Sequence, residues 1–167
     1  MSLNFFKSDC QYQPISLNKF GLCDLQNGTR AFPDIIIANK DSMWIAEVRN
    51  DSNLEVVFTA IDKCVLQDHE YIGRGRCDGM LTTENHLYLV ELKNQVPPWQ
   101  THAIAQLEST IQFLFDNHDL NQYKKRKVFA SNKKREKFVV IDNEFNIAFF
   151  RRTSFRIDIQ TEIVVMK

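Results

Sequence analysis

Asp78 and the tripeptide Glu91-Leu92-Lys93 are the residues of this chain best suited to chemistry. They stand thirteen residues apart across a hairpin-sized turn, so two antiparallel strands joined there would bring the two carboxylates side by side. LYLVELKN (87–94) begins as a buried strand and then carries two opposite charges. Side chains alternate along a strand, so Leu87, Leu89, Glu91 and Lys93 share one face. A buried ion pair gives little net stability once desolvation is counted, which makes structure alone a poor reason for the pair. Two carboxylates, the Leu92 backbone carbonyl and waters form an oxygen-rich ligand set that suits Mg²⁺ or Mn²⁺. A lysine beside such a metal would orient an attacking water or help deprotonate it. The chemistry expected is hydrolysis of a phosphodiester, with an ion-pair cluster as the bland alternative.

Asp78 followed by Glu91-Leu92-Lys93 resembles the PD-(D/E)xK motif of the restriction-endonuclease-like nuclease superfamily, over roughly residues 55–115. The resemblance implies a mixed central sheet flanked by helices, with the motif on a hairpin. It also implies a metal-dependent nuclease in which Asp78 and Glu91 bind the ion and Lys93 assists the water. Many members add a glutamine on the next helix, the place of Gln106 in AIAQLES. Many also place a glutamate on an upstream helix, which points to Glu55; if its segment is a strand, the extra acid is Asp62 or Glu70, or none is present. Cys77 stands where the motif has proline. Pro33-Asp34 followed by Glu47-Val48-Arg49 repeats the spacing with the proline present. Arginine cannot release a proton near neutrality, and no helix with glutamine follows. This second pattern is expected to be a structural hairpin, with a duplicated hairpin whose site was lost as the alternative.

These residues need a strand pair and a helix to position them. FPDIIIAN (32–39) and MWIAEVRN (43–50) are expected as strands joined by a turn at Asn39–Ser42, and LEVVFTAIDKCVL (54–66) fits either a strand or a helix. Residues 1–30 show only weak periodicity. GRGRCDGML (73–81) leads through a turn at Thr83–Asn85 into the 87–93 strand. After Pro97-Pro98, WQTHAIAQLESTIQFLFDN is the clearest helix, with Ala103 or Ile104, Leu107, Ile111 and Leu114 at helical spacing. Strand-like runs follow at 127–131, 137–142, 146–152 and 155–166. No linker divides the chain, so residues 1–167 are expected to form one α/β (α+β) domain with its motif-bearing core at about 55–142.

Composition limits the alternatives. The chain has 167 residues, 44% apolar and 25% charged, which fits a globular domain and argues against wholesale disorder. It carries no continuous apolar run long enough for a membrane span and no signal-peptide pattern, so a cytoplasmic protein with no membrane partner is expected. The cysteines at 10, 23, 64 and 77 form no CxxC pair; in that setting disulfides are not expected, and Cys64 and Cys77 read as small buried hydrophobes. No HExxH or zinc-finger spacing occurs.

Net charge is zero but unevenly spread. Residues 124–137, KKRKVFASNKKREK, carry eight basic groups and one acid, so the run is +7. The last thirty residues balance four against four, leaving −7 for residues 1–123. Lys124, Lys125, Arg126, Lys133, Lys134 and Arg135 would hold a nucleic-acid backbone in a salt-dependent way, or else form a solvated turn. Arg74 and Arg76 would meet phosphates or serve as edge-strand charges. His102 lies one turn before Gln106 and reads as an ordinary helix residue. The expected partner is nucleic acid, DNA in preference to RNA, with a homodimer or a protein partner left open. The competing reading is a catalytically inactive nuclease-like domain acting as an interaction or regulatory subunit, its phenylalanines forming the partner surface. A third is a different nucleic-acid enzyme using the same cluster.

Overall fold

The computed structural model describes residues 3–96, 98–134, 138–139 and 141–167. In chain order the strands are β1 (Lys19–Cys23), β2 (Phe32–Asp34), β3 (Ala46–Arg49), β4 (Val57–Ala60), β5 (Gly79–Thr82), β6 (His86–Lys93), β7 (Lys125–Asn132), β8 (Phe138–Val139), β9 (Arg156–Gln160) and β10 (Glu162–Val164). The helices are α1 (Lys40–Met43), α2 (Gln100–Asn117) and α3 (Asn143–Thr153). The result is a mixed α/β fold of two sheets with flanking helices. The larger sheet runs β4-β5-β6-β7-β9-β8 and the smaller β10-β3-β1-β2. Among the described residues, no helix is long and apolar enough to cross a membrane.

The larger sheet changes direction at β6. β4, β5 and β6 are antiparallel neighbours, whereas β6, β7 and β9 are parallel. Parallel neighbours need a crossover, and α2 supplies the one from β6 to β7. Every residue of β6 is buried, as a central strand covered on both faces requires. Helix α2 forms where its apolar spacing predicts, and Ala103, Leu107, Ile111 and Leu114 are all buried. One apolar cluster extends through both sheets, from Phe5 to Val165.

Three expectations change and one open choice is resolved. Residues 32–39 and 43–50 do not form a hairpin: β2 and β3 each pair with β1, which lies between them, and 37–43 form a 3-10 turn followed by α1. The ambiguous 54–66 segment is a strand, β4, followed by a tight turn.

Residues 146–152 are helical rather than extended. Asp142 accepts a hydrogen bond from the Glu144 N–H at the start of α3, and Ser154 ends it with φ 64°. Phe149 and Thr153, four apart, are its buried residues. The aromatic run fits both periodicities, and the end groups decide between them.

Cys10 and Cys64 form a disulfide across 54 residues of sequence. The N-terminal segment bridges to β4 at Gln11–Thr59, bringing the two cysteines together in a way that sequence spacing does not reveal. Cys77 is a buried free thiol, as expected, and so is Cys23. Within 137–142 the strand is β8, and residues 137 and 140 lie outside the described residues.

Gly79 starts β5 directly after Asp78. A Cβ there would lie 2.3 Å from the buried Phe58 ring of the neighbouring strand. The Gly79→Ala protein should therefore lose about 1–3 kcal/mol of unfolding free energy through overpacking. Urea unfolding would detect this as a lower midpoint with an unchanged slope.

Candidate active site

The antiparallel register Gly79–Val90 sets Asp78 beside Glu91 at the end of the β5–β6 hairpin. The Asp78 N–H donates to the Val90 carbonyl at 3.2 Å. Its side-chain Oδ2 accepts the Leu92 N–H at 2.7 Å, so the carboxylate continues the strand ladder. Backbone groups two apart on a strand point the same way, which turns the Leu92 carbonyl toward the Asp78 side. Gln26 approaches that carbonyl only weakly, at 3.5 Å.

Lys93 and Glu91 share the face covered by α2. Lys93 Nζ lies 3.0 Å from Glu91 Oε2 and donates to Gln106 Oε1 at 2.8 Å. Gln106 Nε2 in turn donates to the Arg76 carbonyl at 3.2 Å. One turn on, Thr110 Oγ1 accepts the Cys77 N–H and donates to the Gln106 carbonyl, both at 2.8 Å. Helix α2 is thus fastened directly to the segment that carries Asp78. At Gly75 a Cβ would come within 3.2 Å of the Gln106 backbone, so a side chain there would press on α2.

Asp78, Glu91 and Lys93 are 8%, 1% and 7% exposed. Burial pushes the Asp78 carboxyl well above its ordinary range, and the neighbouring Glu91 charge adds to the shift. Burial raises Glu91 as well, opposed by Asp78 as a proton donor and by the Lys93 ammonium. With Asp78 ionised, neither Glu91 oxygen has a partner in hydrogen-bond geometry, and Lys93 Nζ makes a charge contact at 3.0 Å. An ion-sized positive charge would relieve both the repulsion and the orphaned oxygens. Among the described residues, no group of three or more His, Cys, Asp and Glu is placed to hold a metal. Two carboxylates with a backbone carbonyl and waters remain a fitting set for Mg²⁺, which keeps several waters when bound.

The other expected residues divide. Glu55 is exposed and precedes β4 at the Thr82 end of its pairing with β5, while Asp78 is at the Ala60 end, so Glu55 does not reach the site. The upstream acid near the pair is Asp62, just past β4. Its N–H donates to the Cys77 carbonyl at 3.1 Å, and its charge pushes Glu91 up. Glu70 instead accepts the Gln67 N–H at 3.0 Å in a surface turn.

Arg76 is committed rather than free for phosphate: its guanidinium engages Asp62, Asp68 and the Gln67 carbonyl. Arg74 is exposed, with its guanidinium 3.6 Å from the Phe113 ring centre. Together with Asp62, Arg76, His102 and Gln106 it lines an open cleft of about 340 Å³ beside Lys93's partner Gln106.

The basic run is split by β7. The Lys133 N–H donates to the Lys93 carbonyl at 2.9 Å, which puts Lys133 and Lys134 at the Lys93 end of the sheet. Lys125 and Arg126 begin β7 beside His86, with Lys124 just before them, at the opposite end, about 23 Å away along the strand. They therefore do not line the Asp78–Glu91 site. Arg135 lies outside the described residues.

Asp34 and Glu47, of the second pattern, face Gly21 of β1 from opposite sides. Asp34 holds the Trp44 indole N–H at 2.8 Å, and Glu47 pairs with Lys40 at 2.8 Å. Arg49 pairs with Asp51 and Glu162 on the surface. These groups are engaged with one another and with neighbouring side chains on the smaller sheet, not gathered into a site.

Asp24, whose charge also raises Asp78, and Gln26 come from the loop after β1. Neither stands in any spacing that links it to the motif, so sequence reasoning missed both. No family model, curated protein or solved structure matches this chain.

The raised carboxyls have a consequence for stability without metal. A carboxyl whose folded pKa exceeds its unfolded value binds protons more tightly in the folded state, so its contribution is fully present below the unfolded pKa near 4 and is lost as pH rises. In chelator, urea unfolding of the wild type should show stability falling from about pH 4 upward. Asp78→Asn, which keeps an oxygen for the Leu92 N–H, should flatten that fall. An identical pH profile in the variant would contradict the assignment.

Proposed function

We propose that this protein is a metal-dependent nuclease of restriction-endonuclease-like type, hydrolysing phosphodiester bonds in DNA or RNA. The observation that carries the reading is the buried Asp78–Glu91 pair, whose Glu91 oxygens lack directed donors when both carboxyls are ionised, with Lys93 3.0 Å away under the Gln106 amide. A mixed sheet with the pair on its β5–β6 hairpin, followed by a helix bearing Gln106, supports the same family reading.

Asp78, Glu91 and the Leu92 carbonyl would hold Mg²⁺ or Mn²⁺. Such an ion, when bound, supplies charge stabilisation at phosphorus and an acidified water. The protein's own residues do the rest. Gln106 Oε1 fixes the Lys93 ammonium, which also contacts Glu91, and one of its three N–H donors would orient a water or a phosphoryl oxygen. Arg76 holds Gln106 through its carbonyl and Asp62 through its guanidinium, which makes it a positioning residue. Arg74 in the adjoining cleft, with Lys133 and Lys134 at the same end of the sheet, offers cationic contacts for a strand of substrate.

The competing reading, an inactive interaction subunit, draws on Ile35, Ile36 and Ile37, three consecutive side chains each 55% exposed after edge strand β2.

Calorimetric titration with Mn²⁺ and Mg²⁺ separates the two. The wild type should bind saturably, and Asp78→Asn and Glu91→Gln should each abolish binding. Equal binding by the folded variants would remove the metal from this pair. In a cleavage screen over single- and double-stranded DNA and RNA, Lys93→Ala should lower the rate about 10²-fold or more. Gln106→Ala, acting through Lys93, should lower it about 10- to 100-fold.

A further inference from the structure

The far end of the larger sheet carries a second basic feature that the proposed catalytic site does not use. Where β6 and β7 begin, a pocket of about 470 Å³ is lined by Lys124, Lys125, Arg126, Arg156, Tyr88 and Phe150. Lys127, also on its wall, is neutralised by Asp158, and Lys125 donates to the Met166 carbonyl at 2.9 Å. Lys124, Arg126 and Arg156 have no carboxylate partner among the described residues. Crowding unpaired cations around a concavity raises the local positive potential, which favours an anion there.

The pocket is also aromatic. Phe150 on α3 is 40% exposed, although α3 buries Phe149 next to it. The Arg156 guanidinium lies over the Phe150 ring, 4.7 Å from its centre. An exposed ring beside a planar cation is a stacking platform for a nucleobase, and the neighbouring cations suit the phosphates on either side. A duplex, with its bases stacked inside, offers no free base face to Phe150.

We propose that this pocket is a second nucleic-acid site, which binds single-stranded nucleic acid by phosphate contacts to Lys124, Arg126 and Arg156 and by stacking of one base on Phe150. With Lys133 and Lys134 at the opposite end of β7, about 23 Å away, one strand of nucleic acid would be gripped at a distance from the Asp78–Glu91 pair. The inference rests on the nuclease reading only for the class of ligand; it needs no catalysis.

The test uses the full chain carrying Asp78→Asn and Glu91→Gln, in chelator, with fluorescein-labelled dodecamers as probes. Anisotropy is followed over a range of salt for single-stranded DNA, single-stranded RNA and duplex DNA. Adding Lys124→Gln, Arg126→Gln and Arg156→Gln should weaken single-strand binding at least tenfold and reduce the log–log salt slope by about 2, the loss of three phosphate contacts. Phe150→Ala alone should weaken single-strand binding about tenfold and leave duplex binding unchanged. Single-strand binding that is unchanged in the triple variant, with its cooperative thermal melt intact, would overturn the proposal. So would a pocket that takes inorganic pyrophosphate but no oligonucleotide.

The two readings fail separately. Wild-type protein that cleaves no nucleic acid, but whose single-strand binding depends on Arg156 and Phe150, leaves this site standing and removes the nuclease. Cleavage together with binding that is indifferent to the triple variant does the reverse.

Discussion

Two carboxyls that burial disfavours as charges stand side by side at the end of one hairpin, and the surrounding structure holds them there. Asp78 is pinned through both its backbone and its side chain to β6. Glu91, 1% exposed, faces Lys93, and Lys93 is fixed by Gln106. Gln106 and Thr110 then fasten α2 to Arg76 and Cys77, the residues leading into Asp78. The chain of contacts closes on itself. Breaking a buried pair by removing one partner is costly, whereas replacing the whole set by apolar residues is often neutral. A polar circuit in this position therefore adds little net stability for the desolvation it costs.

The reversal of strand direction at β6 gives the larger sheet two unlike ends. At one end, the antiparallel hairpin, the turn after β4 and the loop after β1 gather acids: Asp78, Glu91, Asp62 and Asp24. At the other, β7 and β9 begin in parallel and bring together Lys124, Arg126 and Arg156. A chain of zero net charge thus mixes acids and cations at one end of this sheet and gathers unpaired cations at the other. A concavity lined by unpaired cations draws a polyanion before contact. The cations near the acidic end, Lys93, Arg76 and Lys133, are each held in place by hydrogen bonds.

How far the site could be read in the sequence depended on whether its parts interact locally. The hairpin of Asp78 and Glu91 spans one turn, so strand alternation and spacing place both groups. The helix bearing Gln106 declares itself by its period, and one layer of packing brings Gln106 to Lys93. The 146–152 run misled because aromatic residues suit a strand as well as a helix, and the hydrogen bond from Asp142 at its start lies outside the apolar pattern. The basic run misled for a different reason: consecutive in sequence, it is stretched along β7 until its two halves are farther apart than a Debye length.

By itself the sequence determined what is carried by nearest neighbours along the chain: the hairpin, the central helix, the carboxylate pair and its lysine. These depend on periods of 2 and 3.6 and on turn residues, all of which are local. Only the tertiary structure decided which distant residues meet. It inserted β1 between β2 and β3, which turned an apparent second motif into a strut. It joined Cys10 to Cys64, chose Asp62 over Glu55 as the acid near Glu91, and brought Asp24 and Gln26 from the smaller sheet to the edge of the site. Such meetings are set by packing free energy summed over the whole buried cluster, and no short stretch of sequence contains that sum.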